Sequence, residues 1–425
     1  MSTHWITNHR FKLAPALIGA LWLAMISGLM IADVWDETNA LVLLATEPFV
    51  SAGTLELIWW SWREPIGGFY RPLGASLVLV LGKWFEGDFV WLRYFNALLL
   101  LCSMGLLART LVLRFQLDPQ RGIAFFVLAL FSASSLITAT WFANIFDAAC
   151  LFFLALAIRL YAANKILPCG LSFGAAVFCK EAYVLALPFF AWMLWQDWPA
   201  LDRRARRSRV WLAVSMLAVS AGYWSLRHSL IPIGSEADIH GFEIDVYAAS
   251  YTSFIAGFLA QSNSFSRGGA AFWMGIAALV AVVLLERNGA RKLAILAILG
   301  LAGPVYWGMF GYQGEHLMSY HNFVGRLYLI PFALCLFVVF VSASRPLILL
   351  IAVISVWGVG VTWRQHSAFQ QTYAEIYALA EARLGRLEVH YPEKPLADPR
   401  RGVFIGDFPN AEVRIDTRRG GIVEN

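Results

Sequence analysis

The sequence predicts an all-α polytopic membrane protein, and three observations lead to that fold class. Hydrophobic residues make up 59% of the 425 residues and charged residues only 14%, whereas soluble domains are nearer one half apolar. Apolar runs of roughly twenty residues, enough for a helix to cross the hydrocarbon, recur along the chain. Basic residues gather in short loops beside these runs, which is the charge pattern of membrane topology.

The apolar runs predict about 11 transmembrane helices. They fall at 13–32, 94–113, 122–142, 147–163, 167–179 with 182–198, 210–230, 269–285, 293–312, 327–343 and 346–363. The first run is too long for a signal-peptide core and lacks a cleavage site, so we expect an uncleaved anchor. Segments 53–62 and 72–85 are shorter, and we predict them as interfacial helices in the first non-cytosolic loop.

Charge assigns the two sides of the membrane. The Arg-rich segment 202–209 lies between two predicted spans and marks the cytosolic side, since loops on that side carry an excess of Lys and Arg. Most acidic residues fall on the other side, where we expect the functional residues. The net charge of +5 therefore reflects topology, and we predict no nucleic-acid partner.

The cysteines and the change in composition after residue 363 indicate how the chain is divided and what holds it together. Five cysteines lie in apolar stretches without a C-x-x-C motif, which predicts buried thiols and no disulfide framework. Beyond residue 363 the chain becomes polar. We predict a transmembrane domain over 1–363 and a small non-cytosolic tail over 364–425, with short strands at 403–405 and 413–415.

The first candidate site is the acidic segment formed by Asp33, Asp36 and Glu37, directly after the first run. A carboxylate held near hydrocarbon costs roughly 2.5 to 3.5 kcal/mol, so three within five residues indicate a function. One of them could act as a general base toward an acceptor hydroxyl. Asp36 and Glu37 could instead hold a divalent cation, Mg²⁺ or Mn²⁺. Carboxylates in headgroup water are the structural alternative, and the residues leave all three open.

Two further sites interrupt apolar runs. Lys180 and Glu181 break the run from 167 to 195, so they are either a functional pair or an ion pair that caps two short helices. A phosphate is the expected partner of Lys180. Asp147 lies at the start of the predicted span 147–163. The helix dipole favours a carboxylate at this position, so Asp147 has either this structural role or a functional one.

Basic side chains at non-cytosolic span ends run against the charge rule. Arg71 and Arg326 lie beside tyrosines, and the planar guanidinium matches the oxygens of a lipid-linked phosphate. Such arginines can also reach headgroups directly. His321, with His316 and Glu315, has the residue types of a metal site, although polar loop histidines are usually hydrogen-bond partners.

Several of these motifs occur together and in order, and their layout resembles the GT-C glycosyltransferases. It is most similar to bacterial relatives of the protein O-mannosyltransferases, including those with tetratricopeptide repeats, and of the lipid A aminoarabinose transferases. No tetratricopeptide array follows the last predicted span. The matching pieces are Asp36-Glu37, Tyr70-Arg71-Pro72-Leu73, Arg93-Tyr94-Phe95-Asn96, Thr140-Trp141-Phe142-Ala143-Asn144-Ile145-Phe146-Asp147, Cys179-Lys180-Glu181-Ala182 and Gly325-Arg326-Leu327-Tyr328.

The resemblance implies a GT-C-like helical bundle in a bacterial inner membrane that moves a sugar from a polyprenyl-phosphate donor, with inversion, on the periplasmic face. It implies a lipid, glycan or protein acceptor. By motif match, Asp36 would be the catalytic carboxylate and Glu37 its partner, with Arg71, Lys180 and Arg326 at the donor phosphate. Secondary residues toward the acceptor are Asp33, Asp147, Glu181 and His321.

Three other classes share parts of this pattern. A transporter or flippase for lipid-linked sugars would bury charges among helices, but we expect it to show paired broken helices in two related halves, which the sequence does not indicate. A non-catalytic membrane scaffold would leave Asp36 replaceable. A ligase or polymerase with a polyprenyl diphosphate donor would share the topology.

Overall fold

The structure, a computed structural model, is mainly helical over the described residues up to 360. The described residues are 2–27, 51–65, 69–85, 89–140, 144–231, 280, 284–310, 329–342, 348–349, 352–353, 360, 413–416 and 421–424. Beyond the helices they contain one antiparallel hairpin, formed by β1 (Val413–Asp416) and β2 (Gly421–Glu424). The predicted strand at 413–415 is therefore confirmed, but it pairs with β2, and 403–405 lies outside the described residues.

The chain begins with α1 (Ser2–Ser27), α2 (Thr54–Arg63) and α3 (Pro72–Trp84). The first helix is tied to the bundle where the indole of Trp22 donates a hydrogen bond of 2.9 Å to the Leu130 carbonyl. The second packs on the third, which in turn contacts the central helices. Both segments predicted as interfacial are thus helices, and their depth in the membrane stays a prediction.

Three helices come next, with a bend between the second and the third. Helix α4 (Phe89–Phe115) buries one stripe at spacings of three and four residues, which is the spacing of one helix face. Helices α5 (Pro119–Leu130) and α6 (Ala133–Thr140) follow, with an angle of 59° between them. Their break has a local cause, because Ser132 accepts a hydrogen bond from the Ser135 amide as an N-cap. The run predicted as one span over 122–142 is therefore bent.

The centre of the bundle is α7 (Ile145–Ala162), which packs between α4 and α8 (Ile166–Cys179). Asn164 ends the α7 turn with a φ of 57°, a left-handed conformation that Asn tolerates. After α8 the chain passes through extended Lys180 and a 3₁₀ turn into α9 (Ala186–Asp197). The predicted interruption between 167–179 and 182–198 is confirmed.

Helix α10 (Arg203–Leu230) closes this part of the bundle. Asp202 caps it by accepting a hydrogen bond of 2.7 Å from the Ala205 amide. Its buried residues form a single stripe packed toward α8. They are Arg209, Leu212, Met216, Ser220, Tyr223 and Arg227. The helix is 28 residues long, so it extends about 42 Å at 1.5 Å per residue.

Two later helices complete the described core. Helices α11 (Gly289–Phe310) and α12 (Leu329–Ser342) pack on each other, and α12 also contacts α4 and α5. Phe337 stands edge-on to both Phe125 and Phe189, with ring centroids 6.1 and 5.3 Å apart. Aromatic pairs in this arrangement add stabilisation beyond their buried area.

Among the described residues, two helices are long and apolar enough to cross a membrane, and the bent pair α5–α6 makes a third if it is one span. The two are Val90–Phe115 and Ile145–Ala162. The all-helical part of the predicted fold class is therefore confirmed over the described bundle. The number of about 11 spans and the GT-C arrangement stay predictions.

Candidate functional site: a buried charged cluster

Six side chains from four parts of the chain meet at one end of the bundle, and we call them the buried charged cluster. Its members are Arg71, Asp147, Lys180, Glu181, Tyr223 and Arg227. Arg71 precedes α3, Asp147 lies in the first turn of α7, and Lys180 with Glu181 forms the break after α8. The other two lie in the last turns of α10.

Lys180 contacts Asp147 rather than its neighbour Glu181. Its ammonium nitrogen lies 2.6 and 2.5 Å from the two carboxylate oxygens of Asp147, and both side chains are only 2% exposed. Charge-assisted hydrogen bonds of this length are the strong ones. The contact fixes the start of α7 against the end of α8.

Glu181 is the centre of a second set of contacts and is fully buried. One carboxylate oxygen accepts a hydrogen bond of 2.9 Å from Nε of Arg71. The other accepts one of 3.2 Å from the Tyr223 hydroxyl and lies 3.6 Å from Nε of Arg227. A single carboxylate therefore stands between two guanidinium groups.

The backbone explains why neighbouring charges have different partners. Lys180 is extended, with φ −164° and ψ 146°, and successive side chains of an extended chain point to opposite sides. Lys180 therefore turns to Asp147 on α7, whereas Glu181 turns to α10 and to Arg71. One interpretation of the sequence is an ion pair between Lys180 and Glu181 that caps two short helices. In the structure Lys180 instead pairs with Asp147, and Glu181 pairs with Arg71 and Arg227.

Arg71 is held by aromatic rings as well as by charge. Its guanidinium carbon lies 4.2 Å from the ring centroid of Phe69 and 5.6 Å from that of Phe146. Gly74, one turn into α3, permits the approach to α7, because a Cβ atom there would lie 2.3 Å from a ring carbon of Phe146. A small residue in the helix thus brings Arg71 to the cluster.

The described residues of the cluster carry three cations and two carboxylates, which leaves an excess of one positive charge. Nη2 of Arg71 is buried and makes no hydrogen bond within the described part of the chain. A buried donor on a charged group that makes no hydrogen bond is costly, so an anion at Nη2 of Arg71 would offset that cost.

The opposite end of the bundle is basic. Arg114 at the end of α4 pairs with Asp197 at the end of α9. Arg209, at the start of α10, donates to Asn164 and stacks 3.6 Å from the Tyr161 ring centroid. The cluster and the Arg-rich segment 202–209 therefore lie at opposite ends of α10, and the side of the membrane that each faces stays a prediction.

The structure brings together four of the residues singled out in the sequence, namely Arg71, Asp147, Lys180 and Glu181. The other candidates are outside the described residues, so their roles stay predictions. They are Asp33, Asp36, Glu37, His321 and Arg326. The predicted Mg²⁺ or Mn²⁺ site at Asp36 and Glu37 is outside too, and the described residues include no group of three His, Cys, Asp or Glu arranged for a metal ion.

Sequence reasoning missed Tyr223 and Arg227. The signal for Arg227 was present, since it stands at the non-cytosolic end of the predicted span 210–230, against the same charge rule that indicated Arg71. Tyr223 lies one turn earlier on the same face, and its hydroxyl donates to Glu181 and also lies 2.7 Å from the Tyr70 carbonyl. It carried no signal of its own, because a tyrosine in an apolar helix is commonplace.

A surface cavity of about 390 Å³ lies apart from the cluster, at α2. Its lining includes Glu56, Trp59, Trp60 and Arg63, and no member of the cluster.

Comparisons with protein-family models, characterised proteins and solved structures found no match to this chain. The functional inference therefore rests on the residues of the cluster and on the order of the motifs.

Proposed function

We propose that the protein is a membrane glycosyltransferase, which transfers a sugar from a polyprenyl-phosphate donor to an acceptor hydroxyl. The observation that carries the proposal is the meeting of Arg71, Asp147, Lys180 and Glu181 in one buried cluster. These residues come from three of the motifs that resemble GT-C glycosyltransferases. The proposal includes a bundle of about 11 spans.

The proposed sidedness follows from charge. Loops rich in Lys and Arg stay in the cytosol, so the Arg-rich start of α10 would be cytosolic and the cluster non-cytosolic. In a bacterium this is the periplasmic face of the inner membrane. The donor, acceptor and cluster would then meet outside the cytosol.

The proposed reaction is a single displacement. Asp36 removes the proton of the acceptor hydroxyl, and the oxygen attacks the anomeric carbon from the face opposite the phosphate. The bond from that carbon to the phosphate oxygen breaks, so the configuration inverts and polyprenyl phosphate leaves with the electron pair. Cations among Arg71, Lys180 and Arg326 would stabilise the charge that grows on the phosphate, so no general acid is needed.

The test is transfer of label by membranes that contain the protein. They are incubated with a panel of polyprenyl-phosphate sugars, each carrying a labelled sugar, and the acceptor fraction is analysed. We expect one donor to give transfer with wild type and none with Asp36→Asn at equal expression, since the amide cannot accept the proton. Transfer by Asp36→Asn at the wild-type rate would remove Asp36 from the mechanism.

A transporter of lipid-linked sugars is the second candidate, because the described bundle contains two broken helices. The bend between α5 and α6 and the break at Lys180 are discontinuities of the kind that transporters use at substrate sites. Reconstituted vesicles discriminate the two functions. Movement of a labelled lipid-linked sugar across the bilayer without transfer would favour the transporter, and a non-catalytic scaffold would give neither.

A further inference from the structure

We propose that Arg71 and Arg227 form an oxyanion site that binds the phosphate group of a prenyl phosphate, with Glu181 as the positioning residue. The lipid part of this ligand rests on the proposed function, and the oxyanion part rests on the described geometry alone. The ammonium group of Lys180 donates hydrogen bonds to both carboxylate oxygens of Asp147. The proposal thus adds Arg227 to the site and assigns Lys180 a role in holding α7 and α8 together.

Glu181 faces the Nε atom of both arginines. It accepts a hydrogen bond of 2.9 Å from Nε of Arg71 and lies 3.6 Å from Nε of Arg227, which is buried and makes no hydrogen bond within the described part of the chain. Nη2 of Arg71 is buried with no hydrogen-bond partner among the described residues. The terminal edge of a guanidinium is the part that grips phosphate oxygens in pairs.

Aromatic rings restrict both guanidinium groups. Phe69 and Phe146 flank Arg71, and Trp224 lies 5.3 Å from the guanidinium carbon of Arg227. Contacts over a ring face leave the edge of the guanidinium for hydrogen bonds in its own plane. The two arginines are therefore oriented before a ligand arrives, which lowers the cost of binding.

Charge and access favour an anion at the arginines. The two arginines share a single carboxylate, and a phosphate monoester carries about −1.5 to −2 at neutral pH. The side chains of Arg71 and Arg227 are 11% and 9% exposed, whereas that of Glu181 is 0% exposed. The two arginines are thus slightly exposed, whereas the carboxylate between them is not.

The test is equilibrium binding of radiolabelled farnesyl phosphate to the purified full chain in detergent. We expect Arg227→Gln to bind about 10- to 100-fold more weakly, the effect of losing hydrogen bonds to a charged group. Arg227→Lys keeps the charge, so its affinity for farnesyl phosphate should lie between those of wild type and Arg227→Gln. Arg209→Gln is the matched control, because it removes a buried arginine from the opposite end of the same helix and should bind as wild type does.

The competing results are distinct. Displacement of the label by inorganic phosphate supports an oxyanion site, and displacement by farnesol to the same extent overturns it, because the lipid tail alone would then account for binding. Wild-type affinity in Arg227→Gln overturns the proposal, as does loss of affinity in a folded double variant Asp147→Asn with Lys180→Met, in which neither charge of that pair remains. Each variant's unfolding temperature without ligand shows whether it is folded, and Arg227→Lys serves if Arg227→Gln is not.

This result is independent of sugar transfer. If wild type transfers sugar and Arg227→Gln binds farnesyl phosphate normally, the oxyanion site is wrong and the glycosyltransferase proposal stands. If Arg227→Gln loses binding but no donor gives transfer, the oxyanion site stands and the glycosyltransferase proposal is wrong.

Discussion

The extended backbone at Lys180 decides which partners Lys180 and Glu181 contact. They are adjacent in sequence, yet Lys180 contacts α7 and Glu181 contacts α10, because the chain is extended between two helices. Burying an ion pair has an uncertain net effect on stability, since desolvation offsets the attraction. Breaking such a pair is different, because one charge then remains buried without its counter-ion.

Asp147→Asn is therefore predicted to destabilise the protein by about 3 to 5 kcal/mol. The substitution keeps the shape of the side chain but removes the negative charge that lies 2.5 Å from the Lys180 ammonium group. The measurement is the free energy of unfolding in detergent.

The control is the double variant Asp147→Asn with Lys180→Met, which removes both charges. We expect it to be more stable than Asp147→Asn alone, since no unbalanced charge remains from the pair. Equal stability of Asp147→Asn and wild type would show that this pair does not hold α7 to α8.

At the scale of elements, the approach of α3 to α7 depends on Gly74. No Cβ fits there without movement of Phe146, and the Cys179 carbonyl lies 3.1 Å from the same point. Because α3 starts directly after Arg71, its position on α7 also places that arginine. Packing between two helices is thus a condition for the charged cluster.

Gly74→Ala is predicted to destabilise the protein by about 1 to 3 kcal/mol through overpacking. The matched control is Gly222→Ala in α10, where a Cβ meets no atom within 4 Å and alanine improves helix propensity by up to about 1 kcal/mol. Thermal unfolding of both variants measures the difference. A Gly74→Ala variant as stable as Gly222→Ala would contradict the close contact.

On the scale of the whole molecule, charged residues gather at two opposite ends of the bundle. The Arg-rich segment 202–209 and the pair Arg114–Asp197 mark one end, and the buried charged cluster marks the other. Helix α10 runs between them over about 42 Å, more than the roughly 30 Å of bilayer hydrocarbon. The span predicted at 210–230 would place the two ends of this helix in opposite compartments.

Cysteine labelling in intact cells tests this arrangement. In a background with the exposed Cys102 replaced by serine, we expect a membrane-impermeant maleimide to label Ser229→Cys directly. Arg204→Cys, at the other end of α10, should be labelled only after permeabilisation. Labelling of both sites in intact cells would show that α10 does not cross the membrane, and the reversed pattern would invert the assigned sides.

Local patterns in the sequence predicted the helices around the site well. The break at Lys180 and the position of Asp147 in a first helical turn followed from apolar runs and interrupting charges. The partners did not follow, because the pairing of Glu181 with Arg71 and Arg227 joins positions 110 and 46 residues apart along the chain. Likewise, hydropathy did not predict the bend at Ser132, which arises from a side-chain cap inside an apolar run.

The sharing of Glu181 by two arginines has a consequence for evolution. A lineage that neutralises position 181 leaves two buried guanidinium groups facing each other, so it must also replace Arg71 or Arg227 to avoid their repulsion. Positions 71, 181 and 227 should therefore change together among relatives of this chain, while Asp147 and Lys180 vary as a separate couple.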